Sequence, residues 1–244
     1  MSSPTIVTCR GVSKRFGGLL ANDGIDLTIA RGEILGLIGP NGAGKSTLFN
    51  LIAGAFPVSS GTIMLGDREI TALSAQQRCK LGVARTYQVP RSFESMTVIE
   101  NVTVGAFVRQ RRVSAALEKA YRTLEYVGLV EHATVAAADL SPPLKRRLEI
   151  ARALATEPTL LLLDEVLTGL TPSEARAGVE LIRTIRDSGV TIVMVEHVME
   201  IVMPLVDRAV VLNLGKVLAE GKPKDVVRDE SVITAYLGDR HRAA

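Results

Sequence analysis

Gly39-Pro-Asn-Gly-Ala-Gly-Lys-Ser-Thr47 decides the fold. It matches the phosphate-loop pattern G-x-x-x-x-G-K-[ST]. An apolar run, Ile34 to Ile38, enters it, and a helix-compatible run, Ser46 to Ala53, leaves it. A loop that wraps a polyphosphate uses positive φ and lets backbone N–H groups close on the oxygens without a Cβ in the way, which Gly39, Gly42 and Gly44 permit. Lys45 then reaches the β- and γ-phosphates, Ser46 ligates Mg²⁺, and Asn41 and Thr47 complete the binding loop. The following helix turns its positive end toward the anion. The alternative, a Gly-rich turn ahead of an ordinary helix, explains the glycines but not the lysine, the hydroxyl and both flanks together. The expected ligand is a nucleoside triphosphate with its magnesium.

The chain has 244 residues, of which 47% are hydrophobic, enough for one large α/β domain or one domain with a subdomain. Its longest apolar runs, such as Leu160 to Leu163, fall far short of the roughly 20 residues a membrane span needs. Met1 to Thr8 is too short and polar to serve as a leader, so a soluble, intracellular protein is expected. Cys9 and Cys79 have neither metal nor redox spacing and read as free thiols. A net charge of +3 is mild and does not by itself argue for nucleic acid, which usually meets a concentrated basic face.

Continuous apolar runs recur at Ile34–Ile38, Val83–Thr86, Leu160–Leu163, Thr191–Val195 and Ala209–Leu212, as strands covered on both faces of a mainly parallel sheet require. The N-terminal stretch alternates instead (Ile6, Thr8, then Ile25, Leu27, Ile29) and suits an antiparallel layer. Between about 91 and 155 the text turns helical. Val113 to Val127 carries apolar residues at 113, 117, 120, 124 and 127, which predicts a helix with that face buried. The expected architecture is a P-loop NTPase (RecA-like) α/β core with a mainly parallel sheet, an N-terminal antiparallel β layer and an inserted α-helical subdomain. One domain would span residues 1–244, its core formed by about 1–90 and 156–238 and its helical subdomain by about 91–155. Asp239 to Ala244 reads as a frayed end.

Leu160-Leu-Leu-Leu-Asp164-Glu165 delivers two carboxylates to the C-terminal end of a strand, where open parallel sheets bind ligands. Asp164 suits Mg²⁺, directly or through water, and Glu165 suits the water that attacks the γ-phosphate.

With both motifs in place, the chain resembles the ATP-binding subunits of ABC transporters from Val7 to Leu237. The resemblance implies three further roles. Phe16, in Lys-Arg-Phe-Gly-Gly, matches the aromatic that stacks on adenine. Gln88 matches the glutamine that links Mg²⁺ and water to the transmembrane partner. His197 matches the switch histidine that contacts the γ-phosphate.

Two departures stand out. The family's Leu-Ser-Gly-Gly-Gln, which contacts the γ-phosphate held by the opposite subunit, reads Leu140-Ser141-Pro142-Pro143-Leu144 here. Ser141 keeps a hydroxyl at an N-cap position, with proline tolerated at the first helical positions. Apolar residues at 144, 148, 151 and 155 give that helix its buried face. Proline has no N–H, so one or two donors are lost, at roughly 1.5–3 kcal/mol for a bond to a charged group. Thr171 stands where many relatives carry Asp; in Thr171-Pro-Ser-Glu174 it reads primarily as a capping-box residue.

Ser13-Lys-Arg-Phe-Gly-Gly, the stretch Gly36 to Asn50, Arg85-Thr-Tyr-Gln88, Val195-Glu-His-Val-Met-Glu, Ala219-Glu-Gly-Lys-Pro and Ala235-Tyr-Leu-Gly238 are most like the ATP-binding proteins of branched-chain amino acid importers. That likeness implies membrane permease subunits as partners and a second ATP-binding subunit, a heterodimer being favoured by Pro142–Pro143 and a homodimer also possible. It further implies a substrate-binding protein acting indirectly, and a peripheral position on the cytoplasmic face of the inner membrane. The groove for the membrane subunit is expected near Phe93, Met96 and Val98, and Arg109 to Arg112 is expected to be a solvated helix face. The competing readings are a soluble, non-transport ABC ATPase and a weakly hydrolysing regulatory subunit.

Overall fold

The structure, a computed structural model, describes residues 4–196 and 199–237. The chain opens as an antiparallel hairpin of β1 (Thr5–Phe16) and β2 (Leu19–Ala30), enters β3 (Ile34–Ile38), and passes through the phosphate loop into α1 (Lys45–Ala53). β4 (Ser60–Leu65) and β5 (Arg68–Glu69) rejoin the first layer, followed by α2 (Ala75–Lys80) and β6 (Val83–Arg85). Three longer helices come next, α3 (Val98–Ala106), α4 (Val113–Val127) and α5 (Pro142–Ala155). The chain then alternates through β7 (Leu160–Asp164), α6 (Pro172–Asp187), β8 (Thr191–Val195), α7 (Met199–Val202) and β9 (Arg208–Asn213). It finishes with β10 (Lys216–Gly221), α8 (Pro223–Val226) and α9 (Glu230–Leu237).

The strands form a four-stranded sheet in the order β2-β1-β4-β5 and a six-stranded sheet in the order β10-β9-β3-β8-β7-β6. β3, β7 and β8 are buried at every position, which is why their sequences are continuously apolar. They run parallel to one another and to β6 and β9, while β10 closes the edge antiparallel. The expected α/β fold with an antiparallel layer is borne out. β4, β5 and β10 have no counterpart in the apolar-run reading. Only Ile63 of β4 is fully buried, and no residue of β10 is, so neither strand carries a strong pattern.

Alternation within the strands sorts the core. Leu35 and Leu37 face the antiparallel layer and α1, packing with Ile6, Ile25, Phe49, Leu162 and Val193. Ile34 and Ile38 face the other side, with Leu161, Ile182, Ile185 and Met194. α3, α4 and α5 enclose a core of their own, built on Val98, Val102, Ala116, Ala120, Leu124, Leu148 and Ala151.

α4 has the bounds the periodicity predicts and stops at Gly128, which supplies a left-handed cap at φ 70°. Its buried face is rotated from the one expected. Val113 and Leu117 are 62% and 40% exposed, while Ala116, Ala120, Thr123, Leu124 and Val127 are buried. The two alanines let the helix backbones approach closely, so small residues form the seam and the larger Val113 and Leu117 lie outside it. Among the described residues no helix is long and apolar enough to cross a membrane.

Candidate nucleotide site

The C-terminal ends of the parallel strands meet at one edge of the sheet. β3 delivers the phosphate loop, β6 leads to Gln88, β7 ends in Asp164 and Glu165, and β9 leads into Leu214 and Gly215. Gly44 caps α1 at φ 98° with no side-chain cap bond, leaving the first-turn N–H groups to the loop. A Cβ on Gly39 would lie 2.1 Å from the Leu212 carbonyl oxygen, and one on Gly44 would lie 2.4 Å from that of Ala21. Both positions therefore demand glycine. Asn22 Nδ2 donates to the Gly44 carbonyl at 3.2 Å, pinning the loop to β2.

Lys45 Nζ donates to the carbonyls of Gly39 and Pro40 at 2.7 and 2.9 Å, bracing the loop across its mouth. Burial lowers its pKa, and the nearby Glu165 and Asp164 carboxylates oppose that shift. Asn41, Gly42, Gly44, Lys45, Ser46, Thr47, Gln88 and Glu165 line one cavity of about 600 Å³, closed at its side by Leu19–Ala21 and Leu214–Gly215. A cradle of backbone N–H groups with one ammonium fits a polyphosphate. Ser46, Gln88 and Asp164 offer the oxygen donors that a small divalent cation takes.

Asp164 is 6% exposed, its N–H donates to Thr86 Oγ1 at 3.0 Å, and its Oδ2 lies 3.4 Å from Arg85 Nη2. Arg85 also donates to Asn50 Oδ1 on α1 at 2.5 Å, so one guanidinium spans the phosphate-loop helix and the end of β7. Glu165 is held in the left-handed region at φ 51°, unusual for a residue with a Cβ. Its N–H donates to Val195 O at 2.9 Å, its carbonyl accepts from Arg146 Nη1 at 2.9 Å, and its Oε2 accepts from Gln88 Nε2 at 2.8 Å. The fold thus joins Gln88 and Glu165 across 77 positions of sequence.

Phe16 is not among the residues lining this cavity. It is 42% exposed and packs edge-to-face on Phe56 with ring centroids 5.5 Å apart, while its cross-strand partner Leu19 does line the cavity. Ser141 lines a separate cavity of about 330 Å³ with Arg146, Leu167 and Glu174. It holds the N-cap position of α5, with Pro142 next to it, but its hydroxyl makes no cap bond. Thr171 does cap: its Oγ1 accepts from Glu174 N–H at 3.4 Å and its own N–H donates to Glu174 Oε2 at 2.8 Å. The Thr171 hydroxyl, donating to Glu174 Oε2 at 2.7 Å, and after it the Thr171 N–H hold the Glu174 carboxyl below the usual carboxylate range. His197 lies outside the described residues.

Two expectations around the site need correction. Val98 is fully buried at the start of α3, inside the helical core, and offers nothing to a partner. Arg109 stands in the turn after α3 and not on a helix face, donating to the carbonyls of Thr156 and Lys80 at 3.1 and 3.0 Å. Arg146 escaped the sequence reading, and Arg85 and Glu196 entered it only inside longer stretches, with no role of their own. Glu196 follows an apolar strand just as Asp164 ends one, a signal that was available; the arginines gave none. Burial, chiefly, raises the Glu196 carboxyl, and its bonds to Leu167 and Thr168 oppose the shift.

A family model for ABC transporters matches residues 22–168, and one for branched-chain amino acid ATP-binding cassette transporters matches residues 216–242. The chain is 42% identical to the high-affinity branched-chain amino acid transport ATP-binding protein LivG of Escherichia coli (strain K12), covering 98% of this chain and 100% of that one. It is 39% identical to BraF of Pseudomonas aeruginosa, with the same name and coverage of 98% and 100%. Among solved structures, a nucleotide-free ATP-binding cassette from an ABC transporter superposes with a TM-score of 0.88 at 29% identity, covering 96% of this chain and 99% of that one. The ADP conformation of the cassette MJ1267 gives 0.88 at 29% identity, with 97% and 100% covered.

Proposed function

The chain belongs to the ATP-binding cassette family of ABC transporters, and from that premise we propose that it powers an importer for branched-chain amino acids. LivG and BraF carry that function in their names, and the C-terminal family match supports it. The observation that carries the mechanism is the convergence of Lys45, Gln88 and Glu165 on one cavity.

In this reading the loop Gly39–Thr47 and Lys45 hold the triphosphate, with Phe16 at the rim against the base. Ser46, Gln88 and Asp164 hold Mg²⁺, which when bound offsets charge on the β- and γ-phosphates. Glu165 orients and deprotonates the attacking water, and Gln88, bonded to it at 2.8 Å, ties that carboxylate to the chain leading toward the helical lobe. His197 contacts the γ-phosphate. Residues 1–244 work as one ATPase domain, with about 91–155 as the helical lobe and about 1–90 with 156–238 as the core.

The partners are membrane permease subunits and a second ATP-binding chain, with an external binding protein acting through the permease. The chain sits peripherally on the cytoplasmic face of the inner membrane. Phe93, exposed beneath Arg152 at 4.8 Å, and Met96 mark the side offered to the permease. Ser141 serves a nucleotide held by another chain, a reading supported by its lining a different cavity from the phosphate loop. Pro142 and Pro143 weaken that service and favour a heterodimer whose partner supplies the missing donors. The test is steady-state ATP hydrolysis by the chain alone and after assembly with its partner ATPase and permease. Little activity alone and a large rise on assembly, abolished by Glu165→Gln, is expected; full activity alone would exclude the unequal heterodimer.

A further inference from the structure

None of the roles assigned above employs Glu196, a carboxylate only 2% exposed. Its Oε1 accepts from Leu167 N–H at 2.6 Å and its Oε2 from the Thr168 hydroxyl at 3.0 Å. Both donors stand on one loop, the loop that begins at Glu165. The neighbouring Val195 carbonyl takes the Glu165 N–H at 2.9 Å, so two successive residues at the end of β8 hold three residues behind β7. On the other side Arg146 holds the Glu165 carbonyl at 2.9 Å. Downstream the loop is stopped by the Thr171–Glu174 capping box.

What is held this firmly is a strained backbone. Glu165 sits at φ 51°, a conformation that an L-residue leaves unless its surroundings enforce it. An aliphatic side chain at 196 would fill the same space without the desolvation that a buried carboxylate carries. It would offer no acceptor to the Leu167 N–H or to Thr168, and the loop would be free to relax.

We propose that Glu196 is a positioning residue for ATP hydrolysis, its carboxylate clamping Leu167 and Thr168 so that the Glu165 side chain stays aimed at Gln88 and the phosphate loop. The inference rests on the reading of Glu165 as the group that acts on the attacking water.

The test uses full-length Glu196→Ala, Glu196→Gln and Thr168→Val chains, with Glu165→Gln alongside. ATP affinity is read by equilibrium binding of a fluorescent ATP analogue to the purified chain. Turnover is read in the complex recovered through an affinity tag on this chain. Glu196→Ala is expected to lower kcat by about tenfold to a hundredfold, while ATP affinity and KM stay within about threefold. Thr168→Val should give a smaller fall of the same kind. Glu196→Gln keeps an oxygen for the Leu167 N–H and should restore most of the turnover. Hydrogen exchange at the Leu167 amide should quicken in the alanine variant and not in the glutamine variant. The proposal is overturned if folded Glu196→Ala turns over within about twofold of the parent, or loses ATP affinity as much as kcat. It is equally overturned if Glu196→Gln is as impaired as Glu196→Ala. Should the alanine variant fail to fold, unchanged kcat in Thr168→Val overturns it. Turnover surviving Glu165→Gln removes the underlying reading and this inference with it; turnover lost in Glu165→Gln but kept in the Glu196 and Thr168 variants removes this inference alone.

Discussion

Arg146 Nη1 donates to the main-chain carbonyl of Glu165 at 2.9 Å. The bond links α5, the helix behind Ser141-Pro-Pro, to the backbone of the residue whose side chain meets Gln88. A shift of α5 is therefore transmitted to the aim of that carboxylate without passing through the nucleotide. Arg146→Met keeps most of the apolar stem and removes the donor. Turnover should fall about tenfold with ATP affinity within about twofold, checked by comparing kcat with equilibrium binding. Unchanged turnover would show that the contact serves packing alone.

The left-handed backbone of Glu165 gives a second, separable prediction. Glycine adopts φ 51° freely and alanine does not. Glu165→Gly should therefore be more stable than Glu165→Ala by about 1 kcal/mol in urea unfolding, although both lack the carboxylate. Equal stabilities would mean that the segment relaxes once the side chain is gone.

Gly44 and Gly42 both have positive φ, 98° and 80°, but only Gly44 is crowded: its Cβ would meet Ala21 O at 2.4 Å and Asn22 Nδ2 at 2.6 Å, while that of Gly42 meets nothing within 4 Å. Gly44→Ala should weaken ATP binding at least about tenfold more than Gly42→Ala in a fluorescence titration. Similar losses in both would assign the effect to backbone strain and not to the clash.

Arg78 is 1% exposed and donates to the carbonyls of Leu51, Ile52, Leu73 and Thr71 at 2.6, 2.9, 3.0 and 2.9 Å. Two of those oxygens belong to the last turn of α1, where a cation also meets the negative end of the helix. Arg78→Met takes this donor from the carbonyls of Ile52, Leu73 and Thr71 and leaves Leu51 O only the Gly54 N–H at 3.2 Å, and should cost about 3 kcal/mol or more in denaturant unfolding. Arg78→Lys should recover little, since a point charge cannot reproduce the fork.

Burial pushes the Cys9 thiol up to about 12, with Arg78 opposing and Asp26 adding to the shift. The folded chain then keeps a proton that the unfolded chain releases near pH 8.5, so stability is full below that pH and falls as pH rises toward about 12. The slope attributable to this group is at most about 1.4 kcal/mol per pH unit, and Cys9→Ala should remove it from urea-unfolding series at alkaline pH. In native protein at pH 8, maleimide should label the half-buried Cys79 ahead of Cys9.

Much of this protein was legible before any fold was seen, because its decisive features are local. A phosphate loop needs its glycines, lysine and hydroxyl at fixed short spacing, a strand buried on both faces needs an unbroken apolar run, and Thr171 caps α6 through a residue three positions on. Tertiary structure decided everything that depends on a distant neighbour. It chose Ala116 and Ala120 over Val113 and Leu117 as the seam of α4, since only the packed partner sets which face approaches closely. It added β4, β5 and β10, whose weak patterns are completed by pairing to neighbours. It put Ser141 in a different cavity from Lys45, and it brought Arg146 and Glu196 onto the backbone around Glu165. Periodicity reports the spacing of residues along one element; a hydrogen bond between elements is set by where the sheet places their ends, and no stretch of sequence read by itself contains that distance.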